Sequence, residues 1–229
     1  MSDTHEKSAA LEQRQQLAEA MLREAGVMPV LTVASVDQGL DTVRALAAGG
    51  LRTIELVLRT PAALDALAAI KDAFPDCKVG AGTVLEPAQV DAVEELGADF
   101  IVTPGVSPHL LDALVQSSLP VVPGAATPSE LLALQERGIR VAKLFPVAAL
   151  GGIPLLRALA GPLPKMKLCA NGGVDEASAA DYLAEPNVLC VGGSWMVPST
   201  WIAAGAWEKI TASAAKAAQI AALRNPGAM

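Results

Sequence analysis

Lys143 stands inside the apolar run VAKLFP, residues 141–146. A run of this kind reads as a strand of a parallel sheet, covered on both faces, and a buried ammonium there is costly unless it has work to do. The other lysines fall in helix-like stretches, near the termini or at the start of apolar runs, where they can reach water. Burial disfavours the charged form of an amine, and a neutral amine can attack a carbonyl carbon to form an imine. The bland alternatives are a lysine paired to a carboxylate, or one whose stem is buried while its head reaches water.

Glu55 poses the same problem in TIELVLRT, residues 53–60. A carboxylate and an amine inside one core would meet. The pair then reads either as a general base beside an imine-forming lysine or as a structural ion pair. Arg59 follows four residues on, which by strand alternation puts it on the face of Glu55 and at the strand end. A guanidinium there could clamp a carboxylate through two parallel hydrogen bonds, or be a solvated loop arginine.

Two glycine loops close later runs: Gly172-Gly173 after KLCA in CANGGV, and Gly192-Gly193-Ser194 in CVGGSW. Glycines let backbone N–H groups approach phosphate oxygens, and in parallel barrels the loops after the seventh and eighth strands often hold phosphate. Tight turns alone are the other reading. Thr83 in GAGT, Thr103-Pro104-Gly105 in VTPG and Pro123-Gly124 stand at the ends of further runs, where they could line a polar pocket. Phe145, two residues past Lys143, should share its face and could wall the amine from water.

The elements that must position these residues can be read from eight short apolar runs: 28–33, 53–58, 78–82, 100–103, 120–124, 141–145, 167–170 and 188–192. Between them lie helix patterns such as 37–50, 60–74, 86–98, 107–118 and 127–138. Several open on Thr-Pro, Ser-Pro or Glu-Pro, a cap followed by proline in the first turn, and several close on glycine, at Gly49, Gly97 and Gly138. Eight strands alternating with helices predict an α/β fold, a (β/α)8 TIM barrel, with active residues at the C-terminal strand ends. Residues 8–25 carry Leu11, Leu17, Met21 and Leu22 at helical spacing before Gly26, which predicts a leading helix. A doubly wound open sheet is the competing fold, but its dinucleotide turn is not seen after the first strand, where the chain reads VASVDQGL.

The chain has 229 residues, 52% hydrophobic and only 3% aromatic. That predicts one barrel domain over 1–229 with an aliphatic core at about 26–210, and mobile ends at 1–7 and 224–229. A net charge of −7 argues against nucleic acid and anionic membrane partners, which need clustered basic residues. No apolar run is long enough to suggest a membrane span, and the first residues have no apolar signal core. Three cysteines, Cys77, Cys169 and Cys190, without metal-ligand spacing point to a reducing, cytoplasmic setting. His5 and His109 stand apart and read as surface residues, so no metal is expected.

In order along the chain, GGLRTIELVLRT, VGAGTVL, VTPG, PGAATPSE, AKLFP, NGGV and LCVGGSWMVP resemble the KDPG/KHG aldolase family from about Met28 to Trp207. The resemblance implies a class I, Schiff-base aldolase of a phosphorylated 2-keto acid, releasing pyruvate, as a homotrimer without metal or cofactor. It implies that Lys143 forms the imine and Glu55 moves protons. Arg59 and Thr83 would hold the substrate carboxylate, Phe145 would pack on the imine, and Pro104 would line the site. Asn171, Gly172, Gly173, Gly193 and Ser194 would hold the phosphate. Two departures stand out: Asn171 where the family has Thr, bearing on phosphate tightness, and Val57 where a relative has Thr, bearing on stereochemistry. Other readings are a phosphogalactonate-type aldolase, an isomerase or synthase using Lys143 and Glu55 as an acid–base pair, and a non-catalytic sugar-phosphate-binding barrel.

Overall fold

The computed structural model describes residues 2–224. The strands are β1 (Val27–Leu31), β2 (Thr53–Val57), β3 (Lys78–Gly82), β4 (Ile101–Val102), β5 (Val121–Val122), β6 (Gly124–Ala125), β7 (Val141–Leu144), β8 (Lys167–Asn171) and β9 (Val188–Gly193). All pair in parallel, in the order β5-β4-β3-β2-β1-β9-β8-β7-β6. The two ends of that order, β5 and β6, are one stave of the chain, interrupted only at Pro123, which has no backbone N–H to donate. Thr103 N donates to Val122 O on one side of that stave, and Lys143 N donates to Pro123 O on the other. Eight staves therefore close into the expected barrel.

The helices are α1 (Ser2–Ala25), α2 (Val36–Ala48), α3 (Ala63–Ala73), α4 (Pro87–Glu95), α5 (Pro108–Gln116), α6 (Pro128–Glu136), α7 (Gly152–Ala160), α8 (Ala179–Leu183), α9 (Ser199–Ala203) and α10 (Trp207–Arg224). Ser107 and Thr127 cap α5 and α6 ahead of their prolines as expected, and Glu86 precedes Pro87 at α4. Thr60 does not cap α3, because its hydroxyl donates to Val33 O at 2.6 Å at the end of the neighbouring stave. The left-handed stop after α2 is Gly50 (φ +92°), whereas Gly49 has an ordinary φ of −82°. Gly97 and Gly138 take positive φ as the sequence suggests.

The leading helix does more than lead. Leu11, Gln15, Ala18 and Leu22 form its buried stripe, while Leu17, expected on that face, is 53% exposed. Gln15 Nε2 donates to Val121 O, and its Oε1 accepts from Arg140 N and Val141 N, so the side chain bridges the entry ends of β5 and β7. Ala18, Met21 and Leu22 then pack against Met28, Phe100, Val102, Val122, Val141, Cys169, Leu189 and Cys190 inside the barrel. α1 thus closes the N-terminal mouth and leaves the C-terminal end for chemistry. A register shift at Leu168/Cys169, between β8 and β9, is what lets the successive residues Leu189 and Cys190 both join this interior cluster. No described helix is long and apolar enough to cross a membrane. Cys77, Cys169 and Cys190 are buried, and His109 is exposed. The side chains of residues 2–7, His5 among them, and the residues after Arg224, where mobile ends are expected, lie outside those described.

Candidate active site

β2 and β7 face one another across the barrel interior, and each points one charged side chain inward. Lys143 Nζ lies 2.9 Å from Glu55 Oε1; Lys143 is 4% exposed and Glu55 is fully buried. Glu55 occupies the space over Gly82, its neighbour on β3, where an added Cβ would fall 2.4 Å from Oε1 and 2.5 Å from Cγ. A glycine on one stave thus makes room for the carboxylate of the next. The other carboxylate oxygen, Oε2, is buried with no hydrogen-bond partner among the described residues. An unpaired buried acceptor is costly, which leaves Oε2 ready to take a proton or bind a small polar group. Phe145 continues the face of Lys143, with Nζ 5.5 Å from the ring centroid.

Arg59 lies two residues past the end of β2 and is exposed, so strand alternation does not set its direction as the sequence suggested. Its contact does: Nε donates to Thr83 Oγ1 at 3.0 Å. Thr83 has φ +58°, the only positive value at a non-glycine position among the described residues. A β-branched residue rarely adopts that conformation, and the strain it stores is typical of functional sites. The two residues expected to hold a carboxylate are therefore in contact, one of them strained.

The loop after β8 carries Gly172 and Gly173 at φ +90° and +85°. A Cβ on Gly172 would lie 3.0 Å from the Phe145 ring, and one on Gly173 would lie 2.5 Å from Ala148 Cβ. Ser194 is exposed on the neighbouring loop after β9, and Gly193 lies under the ring of Trp195, where a Cβ would fall 2.0 Å from Cζ3. Pro104 is half-buried, and its carbonyl carbon packs against Gly124. Thr103 Oγ1 accepts from Gly124 N at 3.0 Å, which ties β4 to the interrupted stave. Asp175, close to the glycine loop, is engaged by Ser178, whose side chain and backbone hold its carboxyl below the usual range. Val57 sits two residues beyond Glu55 on the same face, in register with Gly82 and fully buried.

Asn171 is placed deeper than a loop residue. It is the last residue of β8, 2% exposed, with its amide over Gly192, its register partner on β9. Sequence reasoning missed two partners of the site. Gly82 gives the room that Glu55 fills, and Cys169 contacts Asn171 Oδ1 at 3.1 Å. The i, i+2 alternation from Cys169 to Asn171 was the available signal for the second; nothing local marked the first.

A family model described as KDPG and KHG aldolase matches residues 18–213. The chain belongs to the KDPG and KHG aldolase family. Its relatives within that family include the KHG/KDPG aldolase of Escherichia coli (strain K12), 42% identical over 206 residues, which cover 90% of this chain and 97% of that relative. The 2-dehydro-3-deoxy-phosphogluconate aldolase of Pseudomonas aeruginosa is 42% identical over 200 residues, 87% of this chain and 91% of the relative. Among solved structures, the KDPG aldolase of Legionella pneumophila, with pyruvate captured at low pH as a covalent carbinolamine intermediate, superposes with a TM-score of 0.84 at 40% identity. That superposition covers 86% of this chain and 96% of the Legionella chain. The family membership accounts for the barrel and for the order of motifs along it.

Proposed function

We propose that this chain is a class I aldolase that cleaves 2-dehydro-3-deoxy-6-phosphogluconate to pyruvate and glyceraldehyde 3-phosphate, and also cleaves 4-hydroxy-2-oxoglutarate to pyruvate and glyoxylate. The observation that carries this reading is the buried contact of Lys143 Nζ with Glu55 Oε1 inside the barrel. Glu55 takes a proton from Lys143, and the neutral amine adds to the C2 ketone. Glu55 returns that proton to the departing C2 hydroxyl, so that water leaves and a protonated imine forms, an electron sink for the C3–C4 bond. As that bond breaks, its electron pair becomes the enamine, Glu55 accepts the C4 hydroxyl proton, and the aldehyde leaves. Protonation at C3 and hydrolysis of the imine release pyruvate and restore Lys143.

The remaining residues take roles in line with their positions. Arg59 and Thr83 hold the carboxylate through charge-assisted bonds, and Phe145 shields the imine from water. Backbone N–H groups of Gly172, Gly173 and Gly193, with the Ser194 hydroxyl, hold the phosphate. Pro104 lines the mouth, and Asn171 donates to the substrate. The chain works as a homotrimer in the cytoplasm, in keeping with the family resemblance and with three cysteines that are all buried and lack metal-ligand spacing. Incubation with pyruvate and borohydride tests the reading: a reduced adduct should map to Lys143, and an unmodified Lys143 would sink it. A coupled pyruvate-release assay over phosphorylated and unphosphorylated keto-deoxy acids, including the galactonate isomer, sets the substrate range.

A further inference from the structure

Cys169 is a fully buried thiol that the cleavage scheme leaves unused. On β8 it is the register partner of Lys143 on β7, and Asn171 follows it on the same face. Its Sγ donates to Asn171 Oδ1 at 3.1 Å. A side-chain amide has an acceptor end and a donor end, and its orientation is set by the partners it meets. With Oδ1 engaged by the thiol, Nδ2 is directed to the side where Gly192 leaves space, since a Cβ there would fall 2.1 Å from Nδ2. Among the described residues Nδ2 donates to no acceptor, although Asn171 is only 2% exposed. On a residue this buried, the donor has little to meet besides a molecule bound in the site. Asn171 stands roughly 6.6 Å above Cys169 along the strand, and Gly172, the next residue, opens the glycine loop. The amide therefore lies between the level of Lys143 and the loop.

We propose that Cys169 is a positioning residue, whose S–H fixes the amide of Asn171 so that its N–H donors face the substrate chain between the imine carbon and the phosphate. This rests on the aldolase reading of the site. Without the thiol the amide can turn, and its carbonyl oxygen then opposes the substrate oxygen that the N–H should meet.

Four forms of the full-length protein test this: C169A, C169S, N171A and C169A/N171A. With 2-dehydro-3-deoxy-6-phosphogluconate, C169A should raise KM about three- to tenfold, the ratio expected for one neutral hydrogen bond. The rate of borohydride trapping with pyruvate alone should stay near wild type, because the proposed contact lies beyond the three carbons that pyruvate supplies. C169S, whose hydroxyl can donate in place of the thiol, should restore KM. In the N171A background, loss of the thiol should add nothing, as expected for residues that act through one contact. The proposal is overturned if C169S behaves as C169A does, if the two substitutions multiply in their effects, or if trapping falls in step with KM. The infrared S–H stretching band gives a readout independent of activity and of whether C169A folds. It should shift between wild type and N171A, and an unchanged band overturns the proposal. If the wild-type protein forms no adduct with pyruvate, the aldolase reading fails, while the S–H band still reports the thiol–amide contact by itself.

Discussion

Lys143 Nζ and Glu55 Oε1 are 2.9 Å apart, across 88 residues of chain and two non-adjacent staves of the barrel. Neither side chain has an alternative partner in water. Removing one therefore strands the other, and the same contact sets both stability and chemistry. K143M should abolish borohydride trapping and destabilise the fold by about 3–5 kcal/mol, because it leaves an unpaired buried carboxylate. The double variant K143M/E55L should recover much of that loss in urea unfolding, since an apolar pair of similar volume has no charge to desolvate. E55Q should lower kcat by about 10²- to 10⁴-fold, the usual contribution of a positioned acid–base group. A kcat for E55Q close to wild type would remove Glu55 from the proton transfers.

Gly82 makes the position of that carboxylate testable from a neighbouring strand. In G82A the added methyl would sit 2.4 Å from Glu55 Oε1, and the buried side chain must move. Displacement of a catalytic group by about 1 Å can lower the rate about 10²-fold, and overpacking costs about 1–3 kcal/mol. Steady-state kinetics should show a fall in kcat larger than any rise in KM, since the methyl meets Glu55 itself, whereas the clamp residue Thr83 is only its chain neighbour.

Thr83 sets function against stability. Its φ of +58° is open to glycine without strain. T83G should gain up to about 1 kcal/mol of stability by relieving that strain. It should also raise KM for the keto acid, because Arg59 Nε loses its partner. Thermal unfolding and kinetics on the same preparation check both signs. A T83G protein with unchanged Tm and unchanged KM would show that the strain serves no purpose.

The start of α6 gives a pH-dependent expectation. Glu130 accepts from Ala126 N at 2.6 Å and Thr127 N at 2.9 Å, and the backbone bond from Ala126 is the main cause holding its carboxyl below the usual range. A group whose value is lowered by folding stabilises the fold above its unfolded value, roughly 4.3 for glutamate, and loses that contribution as pH falls through the folded value. Tm of the wild type should therefore exceed that of E130Q near pH 7, and the difference should shrink toward zero in the acid range. A difference independent of pH would mean that shape, and not charge, makes the cap.

The eight strand runs, the proline-capped helices and the barrel were legible because each is a local pattern. Apolar runs have strand length, Ser107-Pro108 and Thr127-Pro128 mark helix starts, and left-handed glycines mark stops. Lys143 and Glu55 were legible for the opposite reason, as charges that break an apolar pattern. Leu17 was misplaced because hydrophobicity alone favours it over Gln15, whereas Gln15 is buried by three backbone contacts that no local pattern records. Strand alternation does not reach Arg59, since β2 ends at Val57, and its contact with Thr83 is what sets its position.

By itself the sequence determined which residue types were available for chemistry and the order of strands that carries them, since both are written in local composition and period. Only the tertiary structure decided that Lys143 meets Glu55, that Gly82 makes room for that carboxylate, that Thr83 at its positive φ meets Arg59, and that Cys169 meets the amide oxygen of Asn171. Each of these is a contact between positions distant along the chain or on different strand levels. Closure of the sheet sets the first three, which no window of sequence contains; Cys169 and Asn171 are only two residues apart, and what the sheet decides there is the room over Gly192.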